Sequence, residues 1–155
     1  ASSKCGYVLM HMRGTPQTMQ TLTDYQDIPT DIRTFYKQQV ELAMEQGVQK
    51  EQIVLDPGIG FGKTAEQNLI ILNQLQAIHP EAFPILLGVS RKSFLGKITG
   101  KDVDQRGWGT AGAVAAGILH GASIVRVHDV PGMVDVVRVV DAIRTQKLPF
   151  NQGQK

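Results

Sequence analysis

Four short apolar runs each end in residues that can do chemistry. The run Ile53, Val54, Leu55 stops at Asp56, and Pro57, Gly58, Gly60 and Gly62 follow within six residues. A carboxylate delivered by a strand into a glycine loop is an acceptor for N–H donors or a counter-charge for a cation, and glycine lets a ligand or backbone approach closely. Taken alone, Asp-Pro-Gly is also ordinary turn chemistry. A second run, Ile85 to Leu87, gives way to Gly88-Val89-Ser90-Arg91-Lys92-Ser93, a mixture of hydroxyls and cations. Lys92 by itself reads equally as a solvated lysine near a helix start. A third run, Ile124 to Val127, is interrupted by Arg126 and ends in His128 and Asp129. A guanidinium inside a buried strand is costly unless it meets an anion, either a ligand or a structural partner such as Asp129 or Asp56. His128 reads as an anion-binding group or as a hydrogen-bonded core histidine. The fourth run, Tyr7 to Met10, is followed by His11, Met12 and Arg13. On chemistry alone Met10 and Phe61 belong to the core.

The elements that must carry these residues follow from periodicity. The runs predict strands at Tyr7–Met10, from Ile53 up to Asp56, over Pro84–Leu87 and over Ile124–Val127, continuous in β-rich residues as in a parallel sheet covered on both faces. A helical turn is expected near Gln17–Leu22. A helix from Asp31 places Ile32, Tyr36, Val40 and Ala43 on one face and ends at Gly47. Thr64 with Gln67 forms a capping box, so a helix should run from Ala65 to Ile78 with Leu69, Leu72 and Leu75 aligned. A short helix reaches Ile98, a helix of small residues spans Gly107 to His120, and Pro131 opens a last helix with Met133, Val140 and Ile143 inward. The segment 151–155 reads as a frayed tail.

With 155 residues, 42% of them hydrophobic, the chain can bury one core over 1–150. No apolar run approaches the roughly 20 residues that span a bilayer, and the amino terminus lacks a charged segment followed by an apolar one, so a soluble protein without membrane partners is expected. The lone Cys5 predicts no internal disulfide and fits a reducing, cytoplasmic compartment. No Cys/His spacing matches a metal site, and none is expected within this chain. The charge of +2, from 16 basic and 14 acidic residues without a basic stripe, argues against nucleic acid as a partner.

Four βα units in succession imply an α/β fold with a parallel sheet and right-handed crossovers. Arg13, Asp56, Lys92, Arg126 and His128 then share the carboxyl-end rim, where (β/α) barrels build their active sites and often hold phosphate on the loops after the last two strands. One carboxylate facing several cations suits a small polar heterocycle bearing a phosphorylated group.

The motifs themselves, YVLMHMRGTPQTMQ from Tyr7, LDPGIGFGK from Leu55, GVSRKSFLG from Gly88 and IVRVHDV from Ile124, resemble, in order and spacing and over nearly the whole chain, the second half of dihydropteroate synthase. That family is a (β/α)8 TIM barrel. It joins 6-hydroxymethyl-7,8-dihydropterin diphosphate to p-aminobenzoate in folate synthesis, releases pyrophosphate, uses Mg²⁺, commonly forms homodimers through its last helices, and is the sulfonamide target. The resemblance implies that Asp56 binds the amino-pyrimidine edge of the pterin, with Met10 and Phe61 beside the ring and Gly88 close to it. It also implies that Ser90 and Lys92 lie between pterin and aminobenzoate, and that Arg126 stacks near the pterin and binds the diphosphate with His128. A complete barrel needs eight βα units in about 250 residues. The four present leave the Mg²⁺ ligand, further pterin contacts and two closing loops to the missing first half, and imply that the chain alone is inactive. Two other readings stand beside this one. One is an isolated half-barrel without activity, and the other is a pterin-binding barrel such as a methyltetrahydrofolate-corrinoid methyltransferase, which has no diphosphate to hold.

Overall fold

The structure, a computed structural model, describes residues 3–78, 80 and 83–148. Four βα units appear in the expected order: β1 (Tyr7–Met10), α1 (Ile28–Glu45), β2 (Ile53–Asp56), α2 (Ala65–Asn73), α3 (Leu75–Ile78), β3 (Leu86–Leu87), α4 (Ser93–Thr99), α5 (Gly107–Leu119), β4 (Ile124–Val125) and α6 (Val130–Thr145). Single 3-10 turns form at Met19–Thr21, inside the stretch expected to turn, and at Lys50–Gln52 and Val103–Gln105. The tail expected over 151–155 lies outside the described residues.

All strand pairs are parallel. Tyr7 pairs with Ile53 and Met10 with Asp56, while Leu86 pairs with Ile124. A bridge between Leu55 and Ile85, with the Leu55 N–H donating to the Pro84 carbonyl at 2.9 Å, joins the two pairs in the order β1-β2-β3-β4. Strand alternation then sorts the side chains. Leu9, Ile53, Leu55, Ile85 and Leu87 face the helices and are buried. Val8, Val54, Leu86 and Ile124 fall on the opposite, concave face, where Val8 is 47% and Ile124 40% exposed. This is the arrangement of half a (β/α) barrel: the outer layer is complete, and the inner face is open to the half that would close it.

Small residues set the closest contacts of the outer layer. A Cβ on Gly117 would run into Cδ2 of Leu87, so the glycine lets α5 lie directly on β3. The predicted capping box forms, and a second cap stands ahead of α6. Thr64 Oγ1 accepts the Gln67 N–H at 3.2 Å and Gln67 Oε1 accepts the Thr64 N–H at 2.8 Å, while Asp129 Oδ1 accepts the Gly132 N–H ahead of α6.

Four local expectations change, one of them on α6, where Ile143, expected inward, is 66% exposed while Met133 and Val140 are buried. α1 begins at Ile28, because Pro29 sits in its first turn, where a missing N–H costs nothing. The helix expected from Ala65 to Ile78 breaks at Gln74 into α2 and α3, and its buried face is Asn68, Ile71, Leu72, Leu75 and Ile78, leaving Leu69 45% exposed. β3 and β4 keep two paired residues each, Leu86 with Ile124 and Leu87 with Val125.

Candidate functional site

Register brings the rim together. Met10 and Asp56 end β1 and β2 as paired neighbours. Gly88 follows β3, and Arg126 follows β4, donating its N–H to the Leu87 carbonyl at 3.0 Å. A Cβ on Gly88 would lie 2.9 Å from Nη2 of Arg126 and 3.4 Å from Nε. Because β3 stands between β2 and β4, this bare glycine is what lets the arginine lie across the sheet edge toward Asp56. The two side chains meet with Nη2 3.8 Å from Oδ2; Asp56 is 4% exposed and Arg126 62%. The ion pair with Asp56 weighed from sequence therefore forms, and Asp129 is occupied instead as the cap of α6.

The pair leaves binding capacity. Oδ1 of Asp56 accepts the Gly58 N–H at 2.8 Å, but 3.8 Å is too long for a hydrogen bond. Oδ2 thus remains an acceptor facing the rim. Burial pushes the Asp56 carboxyl above its ordinary value, and the Gly58 N–H, Arg126, Lys92 and Lys63 pull back. A buried carboxylate with an open oxygen, ringed by cations, suits a ligand edge with two N–H donors.

The glycine loop builds the wall of the site. Gly58, Gly60 and Gly62 all have positive φ, and a Cβ on Gly58 would strike the His11 carbonyl. This folds Phe61 back so that Nζ of Lys92 lies 4.0 Å from its ring centroid, a cation–π contact. The Lys92 stem packs over Gly60, where a Cβ would come within 3.1 Å of Cδ. Desolvation, with the nearby Arg126 charge, lowers the Lys92 ammonium from its ordinary value, while Asp56 raises it. The solvated-lysine reading of Lys92 does not hold, since its position is set by Phe61 and Gly60.

Ser90 and His128 form a second, linked pair. The Ser90 hydroxyl oxygen accepts the His128 backbone N–H at 3.2 Å and lies 2.8 Å from Nδ1. Either atom can donate in that second contact, which orients the ring so that Nε2 points away from Ser90. The loop bearing Ser90 is held by a non-glycine residue in the left-handed region, Arg91 at φ 58. Its N–H donates to Thr110 Oγ1 at 3.1 Å, and its carbonyl accepts from Arg106 Nη1 at 3.0 Å.

All eight residues singled out from the sequence (Met10, Asp56, Phe61, Gly88, Ser90, Lys92, Arg126 and His128) therefore lie at the carboxyl ends of the four strands. Arg13 does not join them. It bonds Asp24 at 3.3 Å and Asp31 at 3.2 Å and lies over the Tyr25 ring, a structural brace for the loop after β1. Two buried groups escaped the sequence reading. Lys63, 5% exposed, donates to three backbone carbonyls. His11, 3% exposed and edge-on to Phe35, is pushed down to about 3 by burial and by the Lys63 and Arg13 charges. Lys63 had one available signal, a cation just before the amino terminus of α2, where the helix dipole disfavours it.

Comparison with known proteins gives a consistent picture. Residues 1–128 match the family model described as pterin binding enzyme. A dihydropteroate synthase from Synechocystis sp. is 52% identical over 144 residues, covering 92% of this chain and 50% of that protein. The Yersinia pestis dihydropteroate synthase, solved as a sulfonamide drug complex, superposes with a TM-score of 0.91 at 37% identity, covering 95% of this chain and 54% of that one. The Burkholderia cenocepacia enzyme, solved in complex with 7,8-dihydropteroate, gives 0.84 at 41% identity over 91% of this chain and 53% of its own. The chain spans about half the length of the relatives it matches.

Proposed function

Since the chain belongs to the pterin-binding enzyme family and has the fold of half its barrel, we propose that it supplies the carboxyl-terminal, pterin- and diphosphate-binding half of a dihydropteroate synthase. The reaction is the condensation of 6-hydroxymethyl-7,8-dihydropterin diphosphate with p-aminobenzoate, with release of pyrophosphate. The observation that carries this reading is the Asp56–Arg126 arrangement across Gly88: a buried carboxylate with one open oxygen beside an exposed guanidinium.

The roles follow from the geometry. Oδ2 of Asp56 accepts N–H groups from the amino-pyrimidine edge of the pterin. Phe61 and Met10 border the ring, and Gly88 gives it room. Arg126, with the His128 imidazole, binds the diphosphate. When the C–O bond to pyrophosphate breaks, positive charge develops on the pterin methylene and negative charge on the departing oxygen. Asp56 favours the first, and the Arg126 guanidinium with the His128 imidazole favours the second, which is stabilisation aimed at charge as it develops. Lys92, poised between Phe61 and the rim, lies where the amine of p-aminobenzoate would approach. The diphosphate-binding pair favours this chemistry over that of a methyltetrahydrofolate-corrinoid methyltransferase.

We place the Mg²⁺ ligand outside this chain. By the resemblance, that ligand belongs to the first half of the barrel. We also propose self-association through α5 and α6, whose outer surfaces expose Leu119, Val139 and Ile143. No helix among the described residues is long and apolar enough to cross a membrane, and an exposed, unpaired Cys5 suits a reducing cytoplasm.

Calorimetry tests the anion assignment. Arg126→Ala and His128→Ala should weaken pyrophosphate binding at least tenfold while changing binding of a pterin without diphosphate by less than threefold. Equal losses for both ligands would make the two residues structural and remove the diphosphate from this rim.

A further inference from the structure

Lys63 is the one lysine in the described chain with its ammonium closed inside the molecule, and the reaction assigned above does not use it. Its Nζ donates to the carbonyls of Gly58 and Phe61 at 3.0 Å each and of His11 at 3.2 Å. Those acceptors come from the two segments that frame the site: the exit of β1 and the glycine loop that carries Phe61 past Asp56. An ammonium has three N–H groups, and all three are used. The position is otherwise unfavourable for a cation, being buried and just before the amino terminus of α2. We propose that Lys63 is a positioning residue of the pterin site, whose ammonium ties the carbonyls of His11, Gly58 and Phe61 together and so sets the loop in which Asp56 and Phe61 present themselves to the ring.

The inference rests on the pterin reading for its consequence, but not for its geometry. The charged groups around the ammonium are Asp56 at the end of β2, Lys92 at the head of α4, and Arg13 after β1, with His11 beside it kept neutral. Desolvation, reinforced by Arg13 and Lys92 and opposed by Asp56, brings Lys63 from 10.5 to about 7. The neutral amine keeps two N–H groups and points a lone pair where the third donor was, so one carbonyl is released as pH rises through about 7. The stability of the whole fold moves the other way. Between about 7 and 10.5 the unfolded chain binds a proton at this site that the folded chain does not, so unfolding becomes harder with rising pH. The slope of stability follows from burial alone, so the loop is what reports the tie.

The test follows the isotopically labelled chain by NMR between pH 5.5 and 9, through the Lys63 side-chain nitrogen and the backbone amides of Gly58 and Phe61. The expected result is that both amides shift with the Lys63 midpoint, that Leu55 and Arg126 amides in the sheet do not, and that Lys63→Met abolishes the transition. Calorimetry with a 7,8-dihydropterin should show at least tenfold weaker binding in Lys63→Met. Loop amides that stay flat through the Lys63 titration would overturn the proposal, as would undiminished pterin binding by a folded Lys63→Met variant. If that variant fails to fold, the titration of the unsubstituted chain decides alone. If the unsubstituted chain binds no pterin while its loop amides follow Lys63, the pterin reading fails and only the setting of the loop by Lys63 stands.

Discussion

Replacing Asp56 by Asn separates binding from stability in opposite directions. The amide keeps the shape, and its oxygen can retain the Gly58 N–H bond made at 2.8 Å by Oδ1. Its NH₂ then stands where Oδ2 stood, facing Arg126 and any incoming N–H donor. A hydrogen bond to a charged acceptor is worth about 1.5–3 kcal/mol, so pterin affinity should fall roughly ten- to a hundredfold. Fold stability should not fall. Burial raises the Asp56 carboxyl in the folded state, so its contribution is most favourable below the ordinary carboxylate range and is lost as pH rises through the raised folded value. Above the raised folded value the ionised group is a net cost that Asn removes. Thermal melts and calorimetric titration of a dihydropterin, run on the same preparations at pH 7, read both effects. Undiminished affinity would remove Asp56 from the site, and a lowered melting temperature would show that the carboxylate is held for structure.

Other substitutions test the framework around it. Gly117→Ala forces a Cβ into Leu87 and should cost about 1–3 kcal/mol by overpacking, seen as a lower denaturation midpoint with rim amides unshifted. Arg91→Gly relieves a left-handed non-glycine residue and should be neutral to stabilising by about 1 kcal/mol, with the Ser90–His128 bond retained by NMR; a marked loss would mean the side chain is essential to the loop. Gly88→Ala places a methyl 2.9 Å from Nη2 of the exposed Arg126. It should leave the melting temperature nearly unchanged while weakening pyrophosphate binding severalfold, because the arginine swings away from Asp56.

Much of this was legible because strand ends are punctuated. An apolar run stopped by Asp-Pro-Gly or by Gly-Val-Ser-Arg-Lys locates a carboxyl end to within a residue, and parallel register then aligns Met10 with Asp56 without further information. Helix phase was less legible. Leu69, Leu72 and Leu75 and the set Asn68, Ile71, Leu72 and Leu75 both fit helical spacing, and the choice fell to the break at Gln74 and to a polar residue, Asn68, whose side chain is buried by accepting the Gly60 N–H at 2.8 Å. Lys63 was missed for a different reason. Its acceptors lie up to 52 residues away, and nothing local announces that three carbonyls will converge on one ammonium. Arg13 misled because the strand-end rule places its backbone on the rim, while its guanidinium is taken by Asp24, Asp31 and Tyr25.

The central claim is that four βα units hold the pterin and diphosphate side of a site that needs eight. The most direct measurement adds the first half of the barrel, taken from a relative such as the Synechocystis sp. dihydropteroate synthase, to the purified chain and assays for 7,8-dihydropteroate. Neither half alone should give product, the mixture should, and that product should be lost when the chain carries Asp56→Asn. Product from these 155 residues unaided, or an unimpaired mixture with Asp56→Asn, would contradict that claim.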